Sequence, residues 1–371
     1  MPTHQVGSWT LDADVVGSGA FGAVYKATNE STGELAACKY VSHRKMRVSA
    51  IQHEVQFMAR AKHAHVIQLK DCIQQEEESF IFMELASHGE LFSRVISNGS
   101  LDEREARGFF RQIMLAVEYL HSQGIVHRDL KLENVLLNDA DECKVCDFGL
   151  AHLYDTDDAQ KLKRPLLHEV CGSKSYAAPE VLNGHGYDGF AADVWSCGIC
   201  LFAMLAGFFP LDGATTSDWR FTKVSEAVLR GRSLTHTVFG FYNRPCVLSD
   251  EVADLIDGML SLNPSTRLTV SDILEHPWLT SQPAPILRND TDSFNAAPRY
   301  RSITFTESSS LGLGMQMSVS RDMQAMLSDD SAGMPLYRGV ALGAAAVGGD
   351  SSKQPPALQR QHAFGLHDDT R

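Results

Sequence analysis

Three residues carry the strongest chemical signal in this sequence: Asp129, Asn134 and Asp147. Asp129 and Asn134 fall in the polar run His127-Arg128-Asp129-Leu130-Lys131-Leu132-Glu133-Asn134, and Asp147 opens Asp147-Phe148-Gly149. Between them lie the short apolar runs Val135-Leu136-Leu137 and Lys144-Val145-Cys146, separated by Asn138-Asp139-Ala140-Asp141. Such runs, bounded by Asn and Asp, read as a β-hairpin whose return brings the two polar ends together. Three hard oxygen donors then share one small volume. That environment suits Mg²⁺, which takes a few carboxylate or amide oxygens together with phosphate and water.

Other elements must deliver the rest of such a site. Residues 9–16 read as a strand that runs into Gly17-Ser18-Gly19-Ala20-Phe21-Gly22-Ala23-Val24. A G-x-G-x-x-G run also opens dinucleotide-binding folds, but there a helix follows the third glycine. Here residues 23–27 continue as a β-like run. Strand, glycine turn and strand form a lid whose backbone N–H groups can close over phosphates. The strand at 35–41 carries Lys39, costly in apolar surroundings unless paired. A helix is expected at 49–60, carrying Glu54, with Ile51, Val55 and Met58 on the apolar face and His53 on the solvated one. Residues 79–83 read as a strand. Residues 103–122 have the period of a core helix, through Ala106, Phe109, Phe110, Ile113, Ala116, Val117 and Leu120. An almost wholly apolar helix is expected from Asp193 to 206, with further helices at 250–260 and 270–279.

The order of these parts resembles that of a protein kinase. Residues 127–134 are similar to the catalytic loop H-R-D-L-x-x-x-N, and residues 147–149 to the metal loop D-F-G. The likeness covers residues 9–279, through Ala178-Pro179-Glu180 and Asp193-Val194-Trp195-Ser196. It implies an α+β, bilobal protein kinase fold: a small antiparallel β-rich N-lobe at about 9–83, a hinge at 84–88 and a larger helical C-lobe at 89–279. It implies ATP and Mg²⁺ as cofactors. The nucleotide would be held by Val16, Gly17, Ser18, Gly19, Ala20, Phe21, Gly22, Val24, Ala37, Lys39, Met83, Glu84, Ala86, Glu133, Leu136 and Asp147. By the same resemblance Asn134 and Asp147 hold the metal, and Lys39, steadied by Glu54, holds the α- and β-phosphates. Asp129 orients and deprotonates the attacking hydroxyl, and Lys131, part of a Ser/Thr-type signature, meets the γ-phosphate. Met58, Leu69, His127 and Phe148 would stack as a spine anchored by Asp193, and Glu180 and Arg267 would pair inside the larger lobe.

Within kinases, Gly89-Glu90-Leu91-Phe92 resembles the calcium/calmodulin-dependent group. Residues 194–199, 203–207 and 217–219 are similar to checkpoint-kinase-type sequences. The resemblance implies that Glu90 and Glu133 bind substrate arginines, giving a basophilic enzyme that prefers Arg at about the −3 position. Ser173 stands where threonine is usual and keeps a hydroxyl toward Asp129 and Lys131. Cys146 is expected to face the nucleotide pocket as a site of alkylation. Glu169 falls where many relatives carry an activating phosphothreonine. With about half of a phosphate's charge, it would partly order the segment through Arg128; an accidental surface acid is the competing reading. Thr156, among aspartates, and Ser302, in Arg299-x-x-Ser302, are further regulatory candidates. The long segment at 150–176 is expected to be mobile.

Composition narrows the partners. Of 371 residues, 33 are basic and 46 acidic, a net charge of −13 that argues against nucleic acid and anionic membranes. Protein substrates with basic residues upstream of Ser or Thr are expected instead, and a monomer is the default. Eight scattered cysteines and no secretory signal point to the cytoplasm, and also the nucleus. Cys143-x-x-Cys146 lacks a second pair at zinc-ribbon spacing and reads as two core or pocket cysteines. No apolar run is expected to be long enough to span a bilayer. Residues 281–371 turn to Ser, Gly, Ala, Met and Pro, a low-complexity tail expected to be largely disordered. Autoinhibition, docking through residues 317–327, and a plain linker remain open for it. A pseudokinase scaffold and a small-molecule kinase are the rival functions; the complete catalytic set disfavours the first and Ala178-Pro179-Glu180 the second.

Overall fold

The computed structural model describes residues 4–19, 22–156, 162–243 and 245–281, with Ser18 and Gly19 described by their backbone. Ala20, Phe21, Ser302 and the expected tail beyond Ser281 lie outside the described residues. The N-terminal lobe is a curled antiparallel sheet. Its strands are β1 (His4–Val6), β2 (Trp9–Gly19), β3 (Gly22–Asn29), β4 (Leu35–Ser42), β5 (Leu69–Gln74) and β6 (Glu78–Glu84), in the order β1-β2-β3-β4-β6-β5. Helix α1 (Val48–Arg60) is inserted between β4 and β5. Trp9 stacks on Phe82 at 4.7 Å between ring centroids, beside Leu11, Ala27, Ala36, Cys38 and Phe80. These buried side chains make the sheet rigid enough to aim Lys39 from its middle strand.

The larger lobe begins with β7 (Gly89–Glu90), α2 (Leu91–Asn98) and α3 (Glu103–Ser122). Next come β8 (Ile125–Val126), a 3₁₀ turn at Leu132–Asn134, β9 (Val135–Leu137), β10 (Cys143–Val145) and β11 (His152–Leu153). Seven more helices complete it: α4 (Pro179–Asn183), α5 (Gly189–Ala206), α6 (Trp219–Leu229), α7 (Leu234–Gly240), α8 (Asp250–Met259), α9 (Val270–Glu275) and α10 (Pro277–Thr280). Helix α3 is capped by Asp102, whose side chain accepts from Glu105 N, and carries acids in its first turn and His121 in its last. Both placements complement the helix dipole. Its seven expected core positions are all buried, with Met114 added.

The expected hairpin is present. β9 and β10 pair antiparallel, Val135 opposite Val145, Leu136 opposite Lys144 and Leu137 opposite Cys143, one residue earlier than the sequence suggested for the second strand. Two helix boundaries differ. Helix α5 starts at Gly189 rather than Asp193, because Asp188 caps it by accepting from Phe190 N. Residues 270–280 form two helices broken at His276, ahead of Pro277, since the residue before a proline is driven out of the helical region. On α1 the buried face is Ile51, Glu54, Phe57 and Met58, not Val55.

Helix α5 is, by length and composition, apolar enough to cross a membrane, against the expectation that no run was. All its residues except Ala191 and Ala206 are buried inside the lobe, which explains the composition. It ends at Gly207 (φ 73°), where a side chain would also strike the carbonyl of Gly99.

Candidate active site

Two loops converge on Asp129. Arg128 and Asp147 hold left-handed backbone conformations, φ 65° and 66°, which for such residues cost about 1–3 kcal/mol each. Buried Asp193 fixes the first loop, accepting from His127 N at 2.8 Å and Arg128 N at 2.9 Å, with His121 Nε2 2.9 Å away. The His127 ring lies 5.3 Å from Phe148, both fully buried, and its Nε2 meets the Cys146 carbonyl at 3.0 Å. One carboxylate inside α5 therefore shapes the catalytic loop, and His127 ties that loop to the next.

Around Asp129 every polar neighbour is used. Asn134 Nδ2 donates to its carbonyl at 2.9 Å and its Oδ2 at 3.3 Å. Ser173 N donates to Oδ1 at 2.8 Å. Lys131 Nζ bridges Asp129 Oδ2 (2.8 Å) and Ser173 Oγ (3.0 Å). The carboxylate is held in one orientation, partly exposed, with a cation beside it.

The opposite lobe supplies Lys39. Its Nζ lies 2.6 Å from Glu54 Oε1, and Glu54 is almost fully buried. Burial alone would lower the lysine's pKa; the carboxylates of Glu54 and then Asp147 outweigh it and hold the pKa above its ordinary value. Asp147 also acts electrostatically on Lys131. The three carboxylates thus meet two lysines: Glu54 pairs with Lys39 and Asp129 with Lys131, while Asp147 has no ion-pair partner among the described residues. Its Oδ1 accepts only a long 3.4 Å bond from Gly149 N.

This donor set fits a hard divalent cation. Asn134 spends its NH₂ on Asp129, which leaves its amide oxygen as the group a metal would take, beside the unpaired Asp147. No cluster of three or more His, Cys, Asp or Glu suited to a metal occurs among the described residues. Mg²⁺ does not need one, since it is commonly held by one or two carboxylates plus phosphate.

Strand register sets the remaining expected nucleotide residues beside one another. Gly17 pairs with Val24, Ser18 with Ala23 and Gly19 with Gly22, so β2 and β3 form the expected glycine hairpin, while Ala20 and Phe21 fall outside the described residues. Val24 lies opposite Lys39, Ala37 opposite Met83 and Leu136 opposite Glu90. Val16 is exposed near the tip of β2, and Ala86 lies half-buried in the link between lobes.

The sequence reading missed Lys144. It is buried and 2.6 Å from Glu84, so the expected hinge acid is tied to β10. The signal was available, since Lys144 is a lone charge in an apolar strand like Lys39, but the pattern names no partner. Cys146 is half-buried just before Asp147. Its Sγ lies 3.4 Å from the Asn134 carbonyl, and burial, then the charge of Asp147, pushes its thiol pKa well up. A thiol kept neutral is a poor nucleophile.

Glu90 and Glu133, the acids expected to meet substrate, interact electrostatically. Glu133 accepts from Tyr176 Oη at 2.8 Å. Desolvation raises its pKa, as desolvation and then the charge of Glu133 raise that of Glu90. Arg128 Nε donates to the Leu150 carbonyl at 2.6 Å and Nη1 to Glu169 Oε2 at 2.9 Å. Tyr187 Oη donates to the Glu169 carbonyl, and Leu167 pairs with Tyr187, so the later described part of this segment is hydrogen-bonded to the larger lobe. Thr156 is exposed and bridges to Leu162. Buried Arg267 forms a two-pronged pair with Glu180, at 2.6 and 3.1 Å.

A two-lobed fold with a glycine hairpin, a Lys–Glu pair inside the smaller lobe and paired Asp loops defines a protein kinase domain. Residues 11–279 match the family described as protein kinase domain, and the chain belongs to that family. Among its relatives, CBL-interacting protein kinase 31 of Oryza sativa subsp. japonica is 39% identical over 279 residues, covering 74% of this chain and 58% of that protein. CBL-interacting serine/threonine-protein kinase 3 of Arabidopsis thaliana is 37% identical over 297 residues, 79% of this chain and 63% of that protein. These relatives agree with the calcium/calmodulin-dependent-kinase-group resemblance. The chain spans less than two thirds of the length of either one.

Proposed function

We propose that this chain transfers the γ-phosphoryl group of ATP, with Mg²⁺, to Ser or Thr hydroxyls of proteins. The observation that carries this reading is the triangle of Asp129, Lys131 and Ser173, in which a carboxylate and an ammonium face the same small space. Lys39, fixed by Glu54, binds the inner phosphates. Asp129 accepts the hydrogen bond of the acceptor hydroxyl, orients it and takes its proton. Lys131 meets the charge on the transferred group. Asp147 and the Asn134 amide would hold the metal, which when bound would neutralise phosphate charge.

Glu90 and Glu133 support a preference for arginine upstream of the acceptor, because two adjacent carboxylates suit guanidinium groups. Eight cysteines, none in a disulfide, support a reducing compartment, cytoplasm or nucleus. The test is phosphate transfer from radiolabelled ATP to an Arg-containing Ser peptide by the purified chain. Transfer should disappear in Asp147→Asn and Asp129→Asn. A parent chain that binds nucleotide but transfers nothing would replace this reading with a scaffold.

A further inference from the structure

Far along the chain from the catalytic loops, α6, α7 and the turn between them enclose an open cavity of about 640 Å³. Four of its lining side chains are basic or imidazole: Lys223, Arg230, Arg232 and His236. Its one acid, Glu226, lies 3.3 Å from Lys223. Arg230 and Arg232 are exposed and have no acidic partner among the described residues. In a chain of net charge −13, a local cationic excess of this kind is against the average.

Helix electrostatics explain only part of it. Arg230 caps the C-terminal end of α6, where a cation is favoured by the helix dipole. Arg232 lies beyond the helix, past Gly231, whose φ of 71° turns the chain so that both arginines line one cavity. His236 comes from the next helix. The dipole gives no reason for those two.

An apolar border adjoins the charges. Phe241 lines the cavity, and its ring is 5.0 Å from that of Trp219, which is 59% exposed. Leu229, next to Arg230, is 84% exposed. An exposed tryptophan at one end of α6 and unpaired arginines at the other are residue types that anchor interfaces. A small free anion would not use the apolar border, and the overall acidity of the chain opposes nucleic acid.

We propose that the α6–α7 groove docks an acidic peptide segment of a protein partner, with one apolar side chain of that segment resting on Trp219 at the start of α6 and another on Leu229 at its end. The docking surface is separate from the catalytic cleft and does not depend on phosphoryl transfer.

The test is fluorescence anisotropy of the full chain with a short fluorescein-labelled peptide of Asp and Glu carrying one Trp and one Leu. Saturable binding is expected, weakening several-fold between about 50 and 300 mM salt as the charges are screened. Arg230→Glu with Arg232→Glu should weaken it about tenfold, and the milder Arg230→Gln with Arg232→Gln should fall in between. Trp219→Ser should weaken it independently of salt. Phosphorylation of a short Arg-containing peptide should be unchanged in the arginine variants, which separates failure here from failure of the kinase reading. Equal binding by parent and charge-reversed chain, equal binding of a Lys-for-acid version of the peptide, or no saturable binding by the parent overturns the proposal.

Discussion

Arg128 Nη1 and Glu169 Oε2 are 2.9 Å apart, so the loop that carries Asp129 is joined directly to the segment that carries Glu169. Arg128 is also bonded to the Leu150 carbonyl, just past Asp147-Phe148-Gly149. A single guanidinium therefore connects three stretches of chain. In many kinases a phosphate is the partner; here a carboxylate already occupies that place without modification.

Glu169 is 57% exposed on its side chain, so the pair is worth only about 0–1 kcal/mol. Glu169→Ala should lower the kcat/KM of phosphatase-treated enzyme by about two- to fivefold without abolishing it. The loss should shrink at high salt, as an exposed pair is screened. Unchanged activity, in a chain that works only after phosphorylation of the segment, would falsify the view that Glu169 supports basal activity.

Lys39 is expected to behave as a binding and positioning group whose loss leaves the fold standing. Lys39→Met removes the cation but keeps most of the apolar stem, and should lower kcat/KM by about 10²–10³-fold with a melting temperature near that of the parent. Glu54→Gln should cost less, because the lysine keeps Asp147 as an electrostatic partner. Equal losses from the two variants, each with a lowered melting temperature, would show that the pair is chiefly structural.

The Glu180–Arg267 pair has the opposite character. The Arg267 side chain is fully buried and also bonds the carbonyls of Ala191 and Ser261. Arg267→Ala leaves a carboxylate and two carbonyls without their donor, and should destabilise the chain by about 3–5 kcal/mol in urea unfolding. Arg44 and Glu77 give the control: they are 3.1 Å apart but 81% and 71% exposed, and Arg44→Ala should cost less than about 0.5 kcal/mol.

The parts that were readable from sequence are those set by local pattern. The 103–122 helix declared itself through the period of Phe109, Phe110, Ile113 and Val117, and the hairpin through its turn residues. Lys39 asked for a partner because a bare ammonium in a β-sheet is too costly, and the resemblance supplied Glu54. What was not readable depends on packing between distant stretches. Lys144 sits in an apolar strand like Lys39, yet only the fold shows that its partner is Glu84. Asp193 was placed at the opening of a helix; only the fold shows it in the second turn, accepting from two backbone amides of another loop. Helices α6 and α7 were missed, although Asp218 and Ser233 cap them, and the groove they form went unseen with them.

The acids on the substrate side give a pH prediction whose sign follows from their surroundings. Glu90 and Glu133 are both desolvated, and Glu90 also feels the charge of Glu133, so both hold their protons to higher pH than an ordinary glutamate. Only the ionised forms attract an arginine. As pH falls, the KM for a peptide with Arg three residues before the acceptor should therefore rise before the ordinary carboxylate range is reached. A matched peptide without that Arg should show a flat KM over the same interval, which separates this effect from protonation of Asp129. Glu90→Lys should erase most of the difference between the two peptides, about tenfold in kcat/KM, while leaving the Arg-free peptide nearly unaffected. If both peptides respond alike to pH and to Glu90→Lys, these carboxylates do not read the substrate's arginine.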